Sequence, residues 1–388
     1  MLNGLARKHI TAYKRYISHK YKALNTIELK RSALLFNVQL YKSINSDIDI
    51  IPVLKANAYG HGLREVAEIL NDTKCLFLAV DGYFEAARIS HISKHRILVL
   101  GYIDPVNVNL LATKRCSFVV QDISMLRALG NLGKPVKVHM ELNTGMNRLG
   151  LSPAQVGSYL TAIKQYKNIE LEGVMTHLSD ADNPRSKDVI IEQIRRFDQQ
   201  IEKILKSGIR PKYFHAANSA GIIKVHSKYM NAARVGLGLY GISPLQDIDE
   251  YSHRFNDLQP VLELKSTIIK TIDLKVNERV SYNGTFVAKK PTRIAVLPLG
   301  YYEGVPRSLS NRGYITYKDK VFPIVGRVCM NHTMINLGKE KLAVGDEVVV
   351  ISSDKNDPNS IASISKNLGE FSYSTLVNLD ATVRRIVV

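Results

Sequence analysis

The chain has 388 residues, 45% of them hydrophobic and 23% charged, which is long enough for two globular domains with separate cores. No apolar run is long enough to span a membrane, and three scattered cysteines form neither a disulfide framework nor a metal-binding pattern, so we expect a cytoplasmic protein without a metal site. The net charge of +18 is compatible with a nucleic-acid partner, but the basic residues are spread along the chain and no recognisable nucleic-acid module occurs. A protein that handles phosphate or carboxylate ligands is the simpler interpretation.

Residues 1–25 contain no acidic side chain and six lysines or arginines. They have no apolar core of the kind that secretory signals need. An organelle transit peptide and a basic helix lying on the domain are both compatible with this composition, and we favour a plain basic extension.

Residues 26–258 contain eight short apolar runs that alternate with amphipathic segments, such as 63–70 and 189–205. The runs are continuously apolar, as expected for parallel strands that are buried on both faces. Eight such strands predict an α/β protein with a (β/α)8 barrel. The predicted strands are 50–54, 76–80, 97–100, 118–120, 136–142, 171–175, 213–217 and 232–235.

Residues 259–388 have a different character, with β patterns separated by turn signals such as Asn283-Gly284. They predict a second, mostly β domain with one helix at 360–368. The predicted strands are 261–272, 279–286, 293–299, 314–317, 321–328 and 347–351.

The apolar run 50–54 ends in Lys55 and opens at once into Ala-Asn-Ala-Tyr-Gly-His-Gly. This pattern predicts a buried strand that closes in a lysine and passes into a tight loop. An apolar wall disfavours the ammonium form, and the free amine is a nucleophile that can condense with an aldehyde cofactor. A lysine that simply extends into solvent is the alternative.

In a (β/α)8 barrel, active-site residues lie at the C-terminal ends of the strands. Five candidate side chains fall there in the predicted strand order: Lys55, Arg148, His177, Ser219 and Arg234. The glycine-rich loop 236–241 offers backbone N–H groups to an anion after the eighth strand. No clear helix follows it, so a phosphate cradle shared with Ser219 is a better interpretation than a dinucleotide loop.

The segment 53–62, Val-Leu-Lys-Ala-Asn-Ala-Tyr-Gly-His-Gly, resembles the pyridoxal phosphate lysine motif of the alanine racemase family. The resemblance extends over nearly everything from residue 25 onward. It implies a barrel followed by a β domain, pyridoxal 5'-phosphate as cofactor, and racemisation of alanine for peptidoglycan precursors. It also implies a head-to-tail homodimer, in which the second domain reaches the barrel mouth of the partner subunit.

The same resemblance implies roles for residues around the predicted mouth. Arg234 would face the pyridine nitrogen, and because arginine only donates hydrogen bonds, that nitrogen would stay unprotonated and the cofactor would be a weaker electron sink. Arg148 would contact the phenolic oxygen of the cofactor and steer the substrate carboxylate, and His177 would link Arg234 to the second base. The cofactor phosphate would be held by Tyr59, Ser219, Gly236, Leu237 and Tyr373.

Residues 280–285 resemble the motif that carries the family's catalytic tyrosine, here Tyr282. Racemisation needs a base on each face of the α-carbon, and Lys55 and Tyr282 of the partner would serve the two faces. A phenol needs cationic neighbours to act as a base near neutral pH. Without the resemblance, Tyr282 would be a structural hairpin residue. Further residues that the resemblance implies at the substrate pocket or its entrance are Met330 and Tyr301 from the partner, and Asp182, Arg307 and Arg327.

Five positions depart from the family pattern, among them Asn143 and Asn147, where aspartate and glycine are usual. Asn331 and Glu303 stand where aspartate is usual, close to the substrate carboxylate and at the entrance. Glu141 lies seven residues before Arg148, where many relatives have a carbamylated lysine that positions the arginine. We hypothesise that Glu141 supplies this anion directly, without carbon dioxide, and a solvated glutamate at a strand end is the alternative.

Three other functions are compatible with parts of the sequence. A racemase of the same fold with a broader or different substrate, such as serine, is kept open by the departures near the carboxylate pocket. A non-catalytic pyridoxal phosphate carrier shares the barrel but lacks the β domain, and Tyr282 and the segment 326–330 argue against it. A nucleic-acid binder is supported only by the net charge.

Overall fold

A computed structural model describes residues 22–388, so most of the predicted extension 1–25 lies outside the described residues. The described part begins with strand β1 (Asn25–Leu29) and helix α1 (Arg31–Ile44). Eight barrel strands follow: β2 (Asp49–Pro52), β3 (Phe77–Val80), β4 (Arg96–Val99), β5 (Cys116–Val120), β6 (Val136–Glu141), β7 (Ile169–Met175), β8 (Tyr213–His215) and β9 (Ala232–Val235).

These eight strands form one parallel sheet in the order β2-β9-β8-β7-β6-β5-β4-β3. A parallel bridge between Val53 and Ala79 joins the first strand to the second, so the two edges of the sheet meet. The strand side chains are buried almost throughout, which is why the sequence requires continuous apolar runs. The predicted (β/α)8 barrel is therefore confirmed, and each predicted strand overlaps an observed one.

Helices alternate with the barrel strands and cover their outer faces. They are α2 (Leu63–Leu70), α3 (Tyr83–Ile89), α4 (Ile123–Gly130), α5 (Val156–Gln165) and α6 (Lys187–Lys206). In α6 the buried residues Ile190, Ile194, Phe197, Ile201 and Ile204 recur every three or four positions, so one face packs on the barrel. Among residues 22–388, no helix is both long and apolar enough to cross a membrane.

The rest of the chain forms the mostly β second domain that the sequence predicts. Its strands are β10 (Leu262–Thr267), β11 (Lys270–Leu274), β12 (Arg279–Val280), β13 (Phe286–Val287), β14 (Thr292–Leu297), β15 (Tyr314–Tyr317), β16 (Lys320–Pro323), β17 (Thr333–Gly338), β18 (Glu347–Ile351) and β19 (Arg384–Val387). Its helices are α7 (Ile361–Leu368) and α8 (Ser372–Val377). The strands pair as a six-stranded sheet, β16-β15-β18-β10-β1-β19, a three-stranded sheet, β11-β14-β17, and the hairpin β12-β13.

The structure differs from the sequence prediction in β1, which falls in the range assigned to the barrel from residue 26 onward. It pairs antiparallel with β10 and parallel with β19 and so belongs to the sheet of the second domain. Its partners lie more than two hundred residues away along the chain, and a local pattern contains no information about them. The predicted strand 321–328 also ends early, at Pro323, and both β17 and α8 were not predicted.

The second domain also packs against the mouth of the barrel. The carbonyl oxygen of Leu376, at the end of α8, lies so close to Gly60 that a Cβ there would overlap it. Arg385 Nη2 donates to the Gly60 carbonyl oxygen at 2.8 Å. The loop that follows Lys55 is therefore held from above by the C-terminal domain.

Candidate active site

Lys55 lies directly after β2, where the backbone turns with four consecutive left-handed residues, Ala56, Asn57, Ala58 and Tyr59, at φ between 52° and 55°. This conformation costs roughly 1–2 kcal/mol for each L-residue, so the surroundings must stabilise it. Asn57 contributes most visibly, because its Oδ1 accepts a hydrogen bond at 2.9 Å from the N–H of Leu63, the first residue of α2. This turn places Lys55 and the start of the loop at the barrel mouth.

A cavity of about 740 Å³ opens at this mouth, within the size range of small-molecule sites. Its walls contain most of the site residues that the sequence singles out: Lys55, Tyr59, Glu141, Arg148, His177, Asp182, Ser219, Arg234, Gly236, Leu237 and Tyr373. Within residues 22–388, neither the Lys55 amine nor the Arg148 guanidinium has a hydrogen-bond or ion-pair partner. Both cations are therefore free to meet an anionic ligand.

One end of the cavity has the features of a phosphate cradle. The Gly236 N–H donates to Ser219 Oγ at 2.9 Å, and a Cβ on Gly236 would lie 2.5 Å from the Tyr59 hydroxyl, so only glycine fits there. The rings of Tyr59 and Tyr373 lie 5.7 Å apart. Burial raises the pKa of both phenols above the ordinary value, with smaller contributions from Tyr373 and Asp81 for Tyr59 and from Asp182 for Tyr373. Both phenols therefore remain protonated donors.

Arg234 in β9 is held by several acceptors. Its Nη1 donates to the carbonyl oxygen of His215 at 2.7 Å and to His215 Nδ1 at 2.8 Å, and its Nη2 donates to the carbonyl oxygen of Thr176 at 2.7 Å. Burial, opposed by Glu141 and reinforced by Arg148, lowers the pKa of Arg234 to about 10. The guanidinium is still charged at neutral pH and is fixed inside the barrel rather than paired with a carboxylate.

His177 is the second histidine that contacts Arg234, whose Nη2 lies 3.2 Å from His177 Nδ1. Because arginine can only donate, His177 Nδ1 is the acceptor of this bond. Burial first, and then the charges of Arg234, Arg148 and Lys55, lower the pKa of His177 to about 3. The imidazole is therefore neutral, with its proton on Nε2.

Glu141 ends β6 and is buried in the same cavity wall. Its Oε2 accepts a hydrogen bond at 3.0 Å from Gln121 Nε2, a residue that the sequence did not indicate. Burial raises the pKa of Glu141, while Arg234, Gln121 and Arg148 oppose the shift. No ion pair joins Glu141 to Arg148 in the described chain, so its replacement of a carbamylated lysine stays a prediction.

Tyr282 lies away from this cavity. It sits in the short turn Tyr282–Gly284 between β12 and β13, and 69% of its surface is exposed. Ser281 and Asn283 on either side have positive φ, and Ser281 Oγ donates to the Arg327 carbonyl oxygen at 2.7 Å. This rigid turn presents the phenol outward, on the surface of the second domain.

The other pocket and entrance residues that were predicted in the second domain also lie outside the cavity. Tyr301 and Met330 are exposed, and neither they nor Arg307, Arg327 and Asn331 belong to the described lining of the cavity. The N–H groups of Tyr301 and Tyr302 donate to the carbonyl oxygens of Cys329 and Met330, so the two loops are tied together. Asn331 Nδ2 donates to Glu303 Oε1 at 2.7 Å, which pairs two of the departures from the family pattern with each other.

His215 was not predicted as a site residue, although it lies at the C-terminal end of a barrel strand, as the predicted residues do. It ends β8 at the same mouth and contacts the guanidinium of Arg234 directly. Its position within the segment that ends in Ser219 was a usable signal.

The fold and site define a two-domain barrel protein with a cationic ligand pocket built around a strand-end lysine. Two family models match the chain, alanine racemase N-terminal domain over residues 29–244 and alanine racemase C-terminal domain over residues 261–387. The chain therefore belongs to the alanine racemase family, which confirms the resemblance.

Individual relatives agree with this family over most of their length. The chain is 33% identical to an alanine racemase of Methanococcus maripaludis over 92% of this chain and 97% of the relative. It is 31% identical to alanine racemase 2 of Caldanaerobacter subterraneus subsp. tengcongensis, over 93% of this chain and 94% of the relative. Among solved structures, alanine racemase of Clostridium difficile 630 superposes with a TM-score of 0.87 at 28% identity and covers 95% of this chain and 97% of its own.

Proposed function

We propose that this protein is a pyridoxal 5'-phosphate-dependent racemase that interconverts L-alanine and D-alanine. The observation that supports this most strongly is the Lys55 amine at the barrel mouth, which has no partner within residues 22–388 and shares one cavity with two arginines and a phosphate cradle. Membership of the alanine racemase family supports an isomerase with the same chemistry.

The residues present fit this cofactor. Because Gly236 has no Cβ, the Tyr59 hydroxyl can approach the backbone of the loop, and protonated phenols and backbone N–H groups suit a phosphate. Lys55 would hold the aldehyde carbon, and Tyr59, Ser219, Gly236, Leu237 and Tyr373 would hold the phosphate. Arg234, which can only donate, would face the ring nitrogen. When bound, pyridoxal phosphate supplies an electron sink that acidifies the α-hydrogen of the amino acid.

The protein would supply orientation and two bases. Arg148 would bind the substrate carboxylate, because its guanidinium has no other partner in the described chain and suits a bidentate contact. Lys55 Nζ would accept or return the proton on one face of the α-carbon, and the Tyr282 phenol of a second subunit would do so on the other. His177, neutral and bonded to Arg234, would be the residue between that guanidinium and the phenol.

A head-to-tail homodimer is part of the proposal. Tyr282, Tyr301, Tyr302 and Met330 are large side chains that are 43% to 69% exposed on the second domain. Such a group is typical of a surface that a partner covers. The cavity of one subunit would then be completed by the second domain of the other.

We also propose a cellular location and a pathway for this reaction. All three cysteines are free, which supports a reducing cytoplasm. D-alanine is a precursor of peptidoglycan, so we propose supply of that pathway. The small amino acid is the only partner that the site requires besides the cofactor and the second subunit.

A spectrum combined with a chiral assay tests the proposal. The purified protein should be yellow, borohydride should attach the cofactor covalently to Lys55, and L-alanine should approach an equal mixture of D and L. Tyr282→Phe should lower turnover by at least about a hundredfold, since it removes one base. A colourless protein that does not take up the cofactor, or an unchanged rate in Tyr282→Phe, would refute it.

A racemase with a broader or different substrate is the second candidate. Its support is the neutral amide of Asn331, which is hydrogen-bonded to Glu303 where the family has aspartates. Relative turnover of alanine, serine and lysine separates the two, and a preference for serine or lysine would favour the second candidate.

A further inference from the structure

A line of buried polar side chains crosses the inside of the barrel, from Arg234 near its mouth to Glu172 near its base. Arg234 Nη1 lies 2.8 Å from His215 Nδ1, and His215 Nε2 lies 2.8 Å from His139 Nδ1. His139 Nε2 in turn lies 3.5 Å from Glu172 Oε2. Both histidines are fully buried, and Glu172 and Arg234 are 1% and 4% exposed.

The direction of the hydrogen bonds in this line follows from the chemistry of arginine. A guanidinium can only donate, so His215 Nδ1 must accept and the proton of the neutral ring must be on Nε2. That proton is donated to His139 Nδ1, which places the His139 proton on Nε2, facing Glu172. Both hydrogen bonds of the line therefore donate toward the carboxylate end, and the remaining N–H faces Glu172. Burial lowers the pKa of both histidines. Glu172 opposes the shift for His139, while Arg96 and Arg234 add to it, and Arg234 and His139 add to the shift for His215, so both rings are neutral.

The far end of the line is an anion with strong support. Glu172 Oε2 accepts from Ser117 Oγ at 2.7 Å and from Arg96 Nη2 at 3.0 Å, and its Oε1 contacts Arg96 Nη1 and Lys137 Nζ. Burial opposes ionisation of Glu172, but His139, Arg96 and Ser117 outweigh it and hold its pKa below the ordinary value. The carboxylate is therefore charged. His139 Nε2 faces it at 3.5 Å, a long contact with the anion, and has no hydrogen bond of normal geometry among the described residues.

The fold makes room for this line at a specific point. Gly173 in β7 is the register neighbour of His139, and a Cβ there would overlap His139 Nδ1. Phe77 packs edge-on against the His139 ring, with 5.5 Å between the ring centroids, and the His139 ring is fully buried. A polar chain in a barrel core is costly, and apolar residues would fill the same space without that cost.

We propose that His215, His139 and Glu172 are positioning residues that fix the guanidinium of Arg234 from inside the barrel. The anion at the base polarises His139, which polarises His215, and so makes His215 Nδ1 a stronger acceptor for Arg234. The inference rests on the proposed function, because the orientation of Arg234 matters if it faces the cofactor ring.

The first test measures the histidine tautomers in the wild-type protein. Nitrogen-15 NMR should show His139 and His215 as neutral rings with the proton on Nε2, unchanged between about pH 5 and pH 9, where an ordinary histidine titrates. The Glu172-directed line is refuted if either ring carries its proton on Nδ1 or becomes charged in that range. His139→Gln assigns one signal by its loss. This test needs neither activity nor the cofactor.

The second test uses a matched pair of variants at His139. In His139→Gln the side-chain oxygen can accept from His215 and the amide can donate to Glu172, whereas His139→Phe keeps the volume and loses both bonds. With the cofactor loaded, His139→Phe should shift the absorption band of the bound cofactor and lower kcat about tenfold or more, with KM within about twofold. His139→Gln should stay close to wild type, as should the control His95→Gln at a histidine outside the line.

The outcomes distinguish a failure of the proposed function from a failure of the positioning role. If wild type neither binds pyridoxal phosphate nor racemises alanine, the proposed function fails, and the tautomer measurement still decides whether the hydrogen-bonded line exists. If wild type is active and folded His139→Phe matches it in spectrum and kcat, the positioning role is wrong. If His139→Phe does not fold, a failure of His139→Gln to retain the wild-type spectrum and kcat would overturn the role instead.

Discussion

At the scale of single residues, Glu141 combines a cost in stability with a proposed use. Burial raises the pKa of its carboxyl in the folded protein, so between the unfolded and folded pKa values the folded state binds more protons. Stability therefore falls as the pH rises through that window, and above it the folded protein retains the full cost of the buried charge. Arg148 and Arg234 reduce this cost, which is consistent with an anion that serves the arginines.

We predict that Glu141→Gln separates these two effects. The amide removes the buried charge, so the protein should gain stability at pH 7, and the difference from wild type should shrink as the pH falls. Turnover and cofactor affinity should each fall by about tenfold, because the negative charge that acts on Arg234 and Arg148 is lost. Chemical denaturation at several pH values and cofactor titration measure the two effects.

Glu141→Lys is the matched variant for the carbamate comparison. Its activity should depend on added bicarbonate, while wild-type activity should not change. Wild-type turnover and cofactor affinity preserved in Glu141→Gln would show that Glu141 does not supply the anion.

The pair of Asn331 and Glu303 gives a second prediction at this scale. Glu303 Oε1 accepts from the Asn331 amide, and Oε2 accepts at 2.7 Å from the Gly300 N–H, so one carboxylate ties two loops together. Asn331→Asp would bring two carboxylates together and should destabilise the protein by about 1 kcal/mol at pH 7. The loss should diminish near pH 5 as the pair shares a proton. Asn331→Ala, which loses the bond without adding charge, is the control and should show no such pH dependence.

At the scale of elements, the left-handed turn after β2 depends on Asn57. Asparagine adopts this conformation more readily than alanine, and its side chain also caps α2 through Leu63. Asn57→Ala should lower the free energy of unfolding by about 2–3 kcal/mol, since both contributions are lost. Asn57→Gly keeps the backbone preference and loses only the cap, so it should lose about 1 kcal/mol. Equal losses in the two variants would contradict this division, which urea denaturation measures.

The elements also show what a sequence can predict and what it cannot. The barrel strands were found because burial on both faces gives each a continuous apolar run, and α2 has the predicted limits because its apolar spacing is regular. The strand β1 was not predicted, and its residues fell in the range assigned to the barrel, because its two partners join it only through long-range pairing. The helix α8 is six residues long and contains serine and threonine, so its position against the Lys55 loop has no local signal.

The residues of the candidate site also divide into those that the sequence predicts and those that it does not. Residues at strand ends were placed at one mouth by topology alone, and the cavity around Lys55, Arg148, His177, Ser219 and Arg234 agrees. His139 and Glu172 were not found, because each is a polar residue within an apolar strand and only the closed barrel brings them into line with His215. For Tyr282, the structure of one subunit gives an exposed turn, and its role requires a second copy.

At the scale of the whole molecule, the proposed site is incomplete in one subunit, since Lys55 lies in the barrel and Tyr282 points outward from the second domain. Two kinds of inactive subunit should therefore complement each other. In a dimer of Lys55→Ala with Tyr282→Phe, one site combines both defects and the other has an intact Lys55 facing an intact Tyr282.

We predict that mixing equal amounts of the two variants, after unfolding and refolding together, restores about a quarter of wild-type activity per subunit. Half of the randomly formed dimers contain both variants, and each of these has one complete site of two. Each variant refolded alone is the control and should stay inactive, and sedimentation should show that the mixture is dimeric. If the mixture is dimeric and no activity returns, the two bases do not come from different subunits, because shared sites make recovery unavoidable.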